Sequence, residues 1–446
     1  MKIINSKEFD SYWKNKTKKA DDTKTEKVVK KIIADVRACG DTAVRKYASK
    51  FDKSSPQRLE VPLTEAKRAL EQLRANEPSL VEALELAARH IKRFSLKQKE
   101  QFACFEYEME EGLITGQRVI PVERAAVYIP GGRFPLFSSV LMCMIPAFCA
   151  GVEEVILSSP PTQDGLPDRK ILAAAAIAAE ITDVSDNADK NARNGSLRIF
   201  AIGGAQAIAA LALGTESVPR VDVIAGPGNK FVAAAKRVLF GEVGIDFIAG
   251  PTDVLVVTDG SSVNAVDLAA ADMIGQAEHD PDARARSLVP NMELANQITA
   301  AIEKRLSKLT TEKTARASLD SGGLIVVYQN MDDAIRIANA IAPEHLELQT
   351  ADVDNWIPLF KNYGSLFIGS LSAEALGDYS AGVNHTLPTS TSARFTGGLS
   401  VRHFLKTVTT LRCTPGAGFE SSRNAAEILA RAEGLEGHAQ SAAVRK

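Results

Sequence analysis

The sequence predicts an α/β protein built from two units that each contain a parallel sheet. From residue 125 onward, short apolar runs alternate with alanine-rich helical stretches, a pattern typical of βαβ units. A second set of the same kind begins at residue 322. With 446 residues, the chain is also too long for a single hydrophobic core, so several structural units are expected.

The first part of the chain is predicted to be an arm followed by helices. Residues 1–27 are polar and lysine-rich, which indicates an exposed arm or a packing extension. From residue 28 to about 95 the apolar side chains recur at helical spacing, as in Val28, Ile32 and Val36. This stretch is therefore predicted to be a mostly helical entry region.

The middle of the chain supplies most of the predicted strands. These are the apolar runs AAVYIP (125–130), EEVILSSP (153–160), RIFAIG (198–203), VDVIAG (221–226), DFIAG (246–250) and DVLVVTD (253–259). The stretches predicted as helices between them are ILAAAAIAAEI (171–181), AQAIAALAL (205–213) and KFVAAAKRVLF (230–240). The run of residues 140–152 contains Pro146 and is too short to span a bilayer, so it is predicted to be a buried core helix.

The second set consists of GGLIVVY (322–328), the helix DDAIRIANAI (332–341), EHLELQT (344–350) and SLFIG (365–369). Between the predicted helix 171–181 and the predicted strand 198–203, residues 182–196 are polar and predict a surface loop without chemistry. Residues 283–290, in contrast, lack the apolar run expected of a strand at that place.

Composition and charge argue against several classes of partner. Hydrophobic residues make up 45% of the chain, charged residues 24%, and the formal net charge is −2, so neither nucleic acid nor a membrane surface is expected as a partner. The first twenty residues hold no apolar stretch typical of a secretion signal, and we expect a cytoplasmic protein acting on a small molecule. Five cysteines without a CxxC motif are expected to be reduced.

Three glycine-bearing turns follow predicted strands, at residues 128–132, 202–206 and 225–229. In each case a helix follows, and helix N-termini offer unpaired N–H groups to phosphates. Ligands of open α/β sheets bind at the carboxyl ends of strands, where these turns would lie. Although no GxGxxG motif is present, three such turns within about a hundred residues favour a nucleotide crevice.

Histidine and carboxylate residues cluster in the second half of the chain. Gln276 and His279 are three residues apart at the end of a predicted helix, so their side chains face the same way. Glu344 and His345 combine a carboxylate with an imidazole, a pair suited to proton transfer. Such residues also suit zinc, but no known metal-binding spacing is present. Residue pattern alone therefore predicts an α/β enzyme with a polar histidine and carboxylate site, and leaves metal binding open.

Long motifs resemble the histidinol dehydrogenase family from about residue 28 to the C-terminus. The matching stretches, all in the same order, are YIPGG (128–132), GGAQAIAALA (203–212), GPGNKFVAAAKR (226–237), GQAEHDPD (275–282), PEHLELQT (343–350), GDYSAGVNHTLPT (377–389) and SARFTGGLSV (392–401).

The resemblance implies a role for each of a set of residues. It implies Glu344 and His345 as the catalytic acid–base pair. Zinc, one ion per subunit, would be held by Gln276, His279, Asp378 and His438, the last from the partner subunit of a homodimer. NAD would contact Tyr128, Gln206 and Asn229, and the remaining positions lining the substrate site would be Thr252, His385 and Glu433.

The resemblance also implies a division of the chain. Residues 28–127 plus 253–400 would form a first Rossmann-like domain of incomplete type, carrying most of the metal and catalytic site. Residues 128–252 would form the second such domain, which binds NAD. Residues 1–27 would be the arm, and the segment 401–446 would reach the partner's active site.

The implied reaction is the NAD-dependent, four-electron oxidation of L-histidinol to L-histidine through an enzyme-held aldehyde, which ends histidine biosynthesis. Some features depart from the family: Thr252 stands in GPTD where the family usually has GPSE, and RFP (133–135) and GLITGQRVIPVE (112–123) resemble a branch that oxidises sulfopropanediol. Oxidation of another small polar alcohol such as sulfopropanediol is therefore the alternative. A non-catalytic binding protein is disfavoured, because all the implied ligand and base positions are intact.

Overall fold

The computed structural model describes residues 1–16, 23–54, 58–131, 135–183, 195–248 and 250–445. Strands in these residues are β1 (Lys2–Asn5), β2 (Glu60–Val61), β3 (Phe105–Glu110), β4 (Leu113–Pro121), β5 (Arg124–Tyr128), β6 (Glu154–Ser159), β7 (Ser196–Ala201), β8 (Val223–Ala225), β9 (Gly244–Ile245), β10 (Asp253–Thr258), β11 (Arg284–Val289), β12 (Leu324–Val327), β13 (His345–Gln349), β14 (Ser365–Ile368) and β15 (Leu405–Cys413).

The α-helices are α1 (Ser6–Lys16), α2 (Thr23–Phe51), α3 (Leu63–Asn76), α4 (Pro78–Lys99), α5 (Phe137–Ala150), α6 (Arg169–Ile181), α7 (Gly204–Leu213), α8 (Lys230–Leu239), α9 (Ala265–Ala277), α10 (Met292–Leu306), α11 (Glu312–Gly322), α12 (Met331–Ile341), α13 (Val353–Trp356), α14 (Glu374–Tyr379), α15 (Ala417–Ala432) and α16 (Glu436–Ala443). None of them has the length and apolarity needed to cross a membrane.

Two six-stranded sheets organise the molecule. Sheet I has the order β1-β12-β11-β10-β13-β14, and all its neighbouring strands are parallel. Sheet II has the order β2-β7-β6-β5-β8-β9 and is parallel apart from the short antiparallel pairing of β2 with β7. The predicted α/β class with two parallel-sheet units is confirmed.

Each sheet is buried between two helical layers, as parallel sheets require. One apolar core fills the space between sheet II and helices α3 to α6, and another lies under α2, α7 and α8. In the same way, α9 to α11 cover one face of sheet I, while α1 and α12 cover the other. The buried helix predicted at residues 140–152 is α5, whose residues from Ser139 onward are all buried.

The structure corrects the predicted grouping of residues 28–127 with 253–400. Helices α2, α3 and α4 pack on α5 to α8 and β5 belongs to sheet II, so these elements join the unit of sheet II, whereas β3 and β4 belong to the separate three-stranded sheet with β15. Residues 1–16, predicted as part of an arm, instead add β1 and α1 to sheet I. The physical reason is that helices at the start of the chain bury their apolar faces on the nearest uncovered sheet, whichever half of the sequence supplied it.

Two other sequence expectations differ from the structure. Residues 246–248 of the predicted strand 246–250 are not a strand, and Asp246 instead binds the buried Lys236. Residues 284–289 do form a strand, β11, in the middle of sheet I. Most of the predicted loop 182–196 lies outside the described residues, and the antiparallel sheet β15-β4-β3, here called sheet III, was not predicted.

Candidate active site

The acid–base pair suggested by the sequence lies where two neighbouring strands of sheet I begin. His345 is the first residue of β13 and pairs in register with Val254 of β10. Thr252 and Asp253 lie at the start of β10, directly beside Glu344 and His345. The site therefore lies at the amino edge of sheet I, where rigid strands fix the main chain of these residues.

Glu344 is buried with one carboxylate oxygen fully engaged. Its Oε2 accepts hydrogen bonds from Thr252 Oγ1 at 2.5 Å and from the Asp253 N–H at 3.0 Å. Burial raises the pKa of Glu344 to about 7, although the charge of His345 and the Thr252 hydroxyl act in the opposite direction. A carboxyl group with a pKa near 7 can accept and release a proton at neutral pH.

Asp253 and Glu344 hold each other by two reciprocal hydrogen bonds. The Glu344 N–H donates to Asp253 Oδ1 at 2.9 Å, which complements the bond from the Asp253 N–H to Glu344. The other oxygen of Asp253 accepts from Arg286 Nη1 at 2.7 Å, and both side chains of this ion pair are buried. Arg286 also lies over the ring of Trp13, 5.1 Å from its centroid. A buried cation on β11 thus anchors the carboxylate that positions Glu344.

His345 is buried among carboxylates. Its Nδ1 lies 3.3 Å from the Asp253 carbonyl oxygen and 3.5 Å from Glu374 Oε1, and its Nε2 lies 3.4 Å from Asp378 Oδ1. Burial lowers the pKa of His345, but Glu374, Asp378 and Glu344 outweigh burial and hold that pKa well above the usual histidine value.

A group of potential metal ligands lies beside His345. His279, Glu374 and Asp378 each offer one ligand atom, and these atoms lie within 4.8 Å of one another. Glu374 Oε2 is buried without a hydrogen-bond partner, and Asp378 Oδ1 makes no hydrogen bond although it lies 3.4 Å from His345 Nε2. Because buried carboxylate oxygens are normally bonded, these two atoms are available to a cation.

Gln276 completes this side of the site. It lies in the last turn of α9 and is 1% exposed. Its Oε1 is 3.4 Å from Thr252 Oγ1, and its Nε2 is 3.5 Å from His345 Nδ1. Gln276, His279 and Asp378, the three implied zinc ligands within one subunit, are therefore brought together with the acid–base pair.

Glu374 was missed by sequence reasoning. It lies on α14 four residues before Asp378, and this spacing places two side chains on one face of a helix. A second buried acid, Glu347, accepts a hydrogen bond from the Glu374 N–H at 3.0 Å. Glu347 lies two residues after His345 on β13, so both side chains point to the same face of the sheet. This spacing of two residues was the sequence signal that could have identified Glu347.

His385 links the two units of the chain. One ring nitrogen, Nδ1, is 2.7 Å from the Asp378 carbonyl oxygen, and the other, Nε2, is 2.8 Å from the hydroxyl of Ser139 on α5. Burial lowers the pKa of His385, so the ring favours its neutral form. The metal-ligand group of sheet I therefore faces the N-terminus of α5, which follows the carboxyl end of β5 in sheet II.

The glycine turns of sheet II meet at the carboxyl ends of its strands. Tyr128 Oη accepts a hydrogen bond from the Gly204 N–H at 2.9 Å, and Gln206 lies buried in the first turn of α7. Asn229 caps α8, since its Oδ1 accepts from two main-chain N–H groups at 2.9 and 3.2 Å. Gly226, at a φ of 112°, has no room for a Cβ, which would lie 2.2 Å from the Tyr128 carbonyl oxygen. Gly132 of the first turn lies outside the described residues.

Two of the implied site residues lie elsewhere in the subunit. Glu433 follows α15 and His438 lies on α16, and both are exposed. In the described part of the chain neither side chain contacts Gln276, His279 or Asp378. The C-terminal segment pairs through β15 with β4 of sheet III and packs α15 on β3.

Comparison with known proteins gives concordant results. The family model described as "Histidinol dehydrogenase" matches residues 15–446. The chain is 42% identical over 429 residues to histidinol dehydrogenase of Pseudomonas syringae pv. syringae (strain B728a), covering 96% of this chain and 90% of that protein. It is 44% identical over 423 residues to that of Aquifex aeolicus (strain VF5), covering 94% and 92%. Among solved structures, histidinol dehydrogenase from Elizabethkingia anophelis superposes with a TM-score of 0.86 at 33% identity, covering 98% of this chain and 95% of that one.

Proposed function

The chain belongs to the histidinol dehydrogenase family, and on that premise we propose that it oxidises L-histidinol to L-histidine by two successive hydride transfers to NAD. The chain is an oxidoreductase of histidine biosynthesis, and its relatives do not favour sulfopropanediol as substrate. In the overall reaction, two hydrides pass from the carbinol carbon to two NAD molecules, and one water is added to give the carboxylate.

The observation that carries the proposal is the convergence of distant side chains on one point. Gln276 and Asp378 come from helical segments about a hundred residues apart, yet both lie within 3.5 Å of the His345 ring, and His279 lies 4.0 Å from Asp378. The carboxylate of Glu344 lies on the adjoining residue with a pKa raised to about 7. Two buried carboxylate oxygens in this cluster, Glu374 Oε2 and Asp378 Oδ1, make no hydrogen bond, which supports a cation site here.

The residues fit a zinc ion. The donors are imidazole nitrogen and carboxylate or amide oxygen, which suit zinc, and Asp378 and Glu374 each also have a buried oxygen that makes no hydrogen bond. Gln276, His279 and Asp378 would hold the ion, one per subunit. Bound there, the ion supplies Lewis-acid binding of the substrate nitrogens and so fixes the carbinol carbon in one place.

The family is NAD-linked, and we place the dinucleotide on the turns of sheet II. Tyr128, Gln206 and Asn229 would contact it, because their turns meet at the carboxyl ends of β5, β7 and β8. NAD supplies the hydride acceptor. His385, whose ring joins the Ser139 hydroxyl to the Asp378 carbonyl, lies between this edge and the metal-ligand group. The substrate would therefore bind between the two units, against Thr252 and His385.

His345 would take the hydroxyl proton as each hydride leaves. The nearby carboxylates hold its pKa high, and one of them belongs to Asp378. When Asp378 serves as a ligand, its carboxylate no longer favours the imidazolium, and the ring releases its proton more readily. Gln276 and the Asp253 carbonyl, both close to Nδ1, keep the ring oriented.

Glu344 would activate the water that hydrates the aldehyde. Its Oε2 is engaged by Thr252 and Asp253, which fixes the carboxylate and leaves the second oxygen to receive a proton. Because the site is buried, the aldehyde stays enclosed until the second oxidation.

We further propose a homodimer with shared active sites. His438 would complete the metal site and Glu433 would bind substrate across the subunit boundary, since both are exposed and His438 is not among the grouped metal ligands of its own subunit. Sheet III and α15 carry apolar side chains in solvent that a partner would cover, namely Phe105, Tyr107, Met109, Leu411, Ile428 and Leu429. A biosynthetic dimer of this kind fits a cytoplasmic location.

The test is a substrate panel with the purified full-length protein. We expect two NADH per L-histidinol consumed, with histidine as product, and no comparable rate with sulfopropanediol. NADH formation from sulfopropanediol but not from histidinol would overturn the substrate assignment and leave the dehydrogenase mechanism in place. Size-exclusion chromatography with light scattering tests the dimer in the same preparation.

A further inference from the structure

Sheet II has the strand order of a dinucleotide-binding half, but it lacks the acidic residue that usually accompanies it. Counted from β5, the order β7-β6-β5-β8-β9 corresponds to 3-2-1-4-5 of the doubly wound fold. In that fold an acidic residue near the end of the second strand binds the ribose of the adenosine. Here β6 ends at Ser159 and is followed by two prolines, Pro160 and Pro161.

The next acid along the chain, Asp164, is already used. Its Oδ1 accepts hydrogen bonds from the Thr162 hydroxyl at 2.6 Å and from the Leu166 N–H at 3.1 Å, which closes a local turn. Asp164 therefore stabilises its own loop and does not supply the missing carboxylate.

Asp52, from a distant part of the sequence, lies at that position. It follows the last residue of α2, and its Oδ2 is 3.4 Å from the Gly203 N–H, directly after β7. A Cβ on Gly203 would lie 2.5 Å from Pro160 Cβ and 2.7 Å from Asp52 Oδ1. Asp52, Pro160 and Gly203 are thus packed together at the carboxyl ends of β6 and β7, where the adenosine ribose of a doubly wound fold would lie.

The Asp52 carboxylate lies in a partly buried environment that suits a neutral hydroxyl ligand. Asp52 is only partly exposed, and burial raises its pKa to about 6 although the Gly203 N–H and the Gln206 side chain lower it. Gln206 is 1% exposed, and its Nε2 makes no hydrogen bond of ordinary geometry. The negative charge of Asp52 also lies at the N-terminus of α7. It would repel a phosphate group, which a helix N-terminus otherwise attracts.

We propose that Asp52 accepts hydrogen bonds from the 2′- and 3′-hydroxyls of the adenosine ribose of NAD and excludes NADP by repelling its 2′-phosphate. This inference rests on the proposed NAD site of sheet II. It adds a residue that determines cofactor specificity, supplied by the helical N-terminal region and lying outside the glycine turns.

The experiment compares NAD and NADP as cofactors of histidinol oxidation in the wild type and in Asp52→Asn. Loss of a charge-assisted bond should lower kcat/KM for NAD about 10- to 100-fold while kcat at saturating NAD is kept. Removal of the repulsion should raise kcat/KM for NADP in the same variant. Asp35→Asn, which removes a charge from an earlier turn of α2, is the matched control and should leave both values unchanged.

A second measurement leaves the protein intact. The wild type should use the NAD analogue with 2′-deoxyadenosine about tenfold less efficiently than NAD, because one hydroxyl donor is gone. Asp52→Asn should barely distinguish the two. An unchanged NAD to NADP ratio in Asp52→Asn, or equal use of NAD and the deoxy analogue by the wild type, overturns the inference. If Asp52→Asn does not fold, the analogue decides alone, and failure of the wild type to oxidise histidinol with NAD would instead overturn the proposed function.

Discussion

Replacing Arg286 by methionine should destabilise the unit of sheet I strongly. The Arg286 and Asp253 side chains are each 6% exposed and are joined at 2.7 Å. Methionine fills much of the same volume but leaves the Asp253 carboxylate buried without its cation. Breaking a buried pair in this way costs about 3–5 kcal/mol, most of which is the uncompensated charge.

The double replacement Arg286→Met with Asp253→Asn should be milder than the single one. The buried charge is then removed together with its partner, and the amide oxygen of asparagine can still accept the Glu344 N–H. Replacing a whole buried pair is often close to neutral, so the double variant should recover about 2–3 kcal/mol relative to Arg286→Met.

Urea unfolding followed by tryptophan fluorescence measures these differences. The chain has two tryptophans, Trp13 and Trp356, and both pack on the core of sheet I beside α1 and α12, so the signal reports the unit that holds Arg286. Arg305→Met is the matched control in the same unit, because its pair with Asp267 is exposed and should contribute under about 1 kcal/mol.

Equal shifts of the urea midpoint in Arg286→Met and Arg305→Met, or a double variant as unstable as Arg286→Met, would show that the buried pair does not stabilise the unit of sheet I. Activity provides a second check. Because the main-chain N–H of residue 253 and the amide oxygen of asparagine preserve both hydrogen bonds to Glu344, the double variant should keep the wild-type ratio of aldehyde to alcohol oxidation.

Four further predictions concern the chemistry. Glu344→Gln should slow the oxidation of added histidinal about 10²- to 10⁴-fold and the oxidation of histidinol less, as measured by stopped-flow NADH formation. Equal losses in both steps would contradict the role of Glu344. Because the pKa of Glu344 is raised to about 7, aldehyde oxidation should rise with pH through about 7 as the carboxylate forms; a flat profile between pH 6 and 8 would argue against it. Removing zinc with a chelator should abolish activity, and adding zinc should restore it. His279→Ala should lower the zinc content per subunit, measured by mass spectrometry. Full activity of the zinc-free protein would exclude the metal site. When Glu344→Gln and His438→Ala subunits are mixed, random association makes about half of the dimers heterodimers. In each heterodimer one site has both Glu344 and the partner's His438, so histidine formation should recover to about a quarter of the wild-type rate. No recovery would mean that the active sites are not shared between subunits.

Sequence patterns located most of the fold because periodicity and burial act locally. The alanine-rich helix α7 is buried from Ala205 to Ala212 and the apolar strand β10 is buried throughout, and continuous apolar runs in the sequence indicate such elements. β11 was not predicted because Arg286 and Ser287 interrupt its apolar pattern. Arg286 is buried because it pairs with Asp253, which lies on another strand and so leaves no local signal.

The grouping of helices α2 to α4 with sheet II could not be predicted from local patterns either. An amphipathic helix shows that one face is buried, but it does not identify the sheet that covers it. Of the candidate site, the motifs supplied Gln276, His279 and Asp378. Glu374 carried only an i, i+4 spacing to Asp378, and such spacings are common on solvent-exposed helices.

The route of the chain through sheet I affects how the protein is made on the ribosome. β1, at residues 2–5, lies at the edge of sheet I and pairs with β12, at residues 324–327. At about 5–20 residues per second, the first strand waits roughly 15–65 seconds for its partner to be synthesised. Sheet II, in contrast, has all its strands by residue 245 and can assemble during that interval. Nascent chains stalled near residue 300 should therefore protect sheet II from proteolysis while their N-terminal strand is still cleavable.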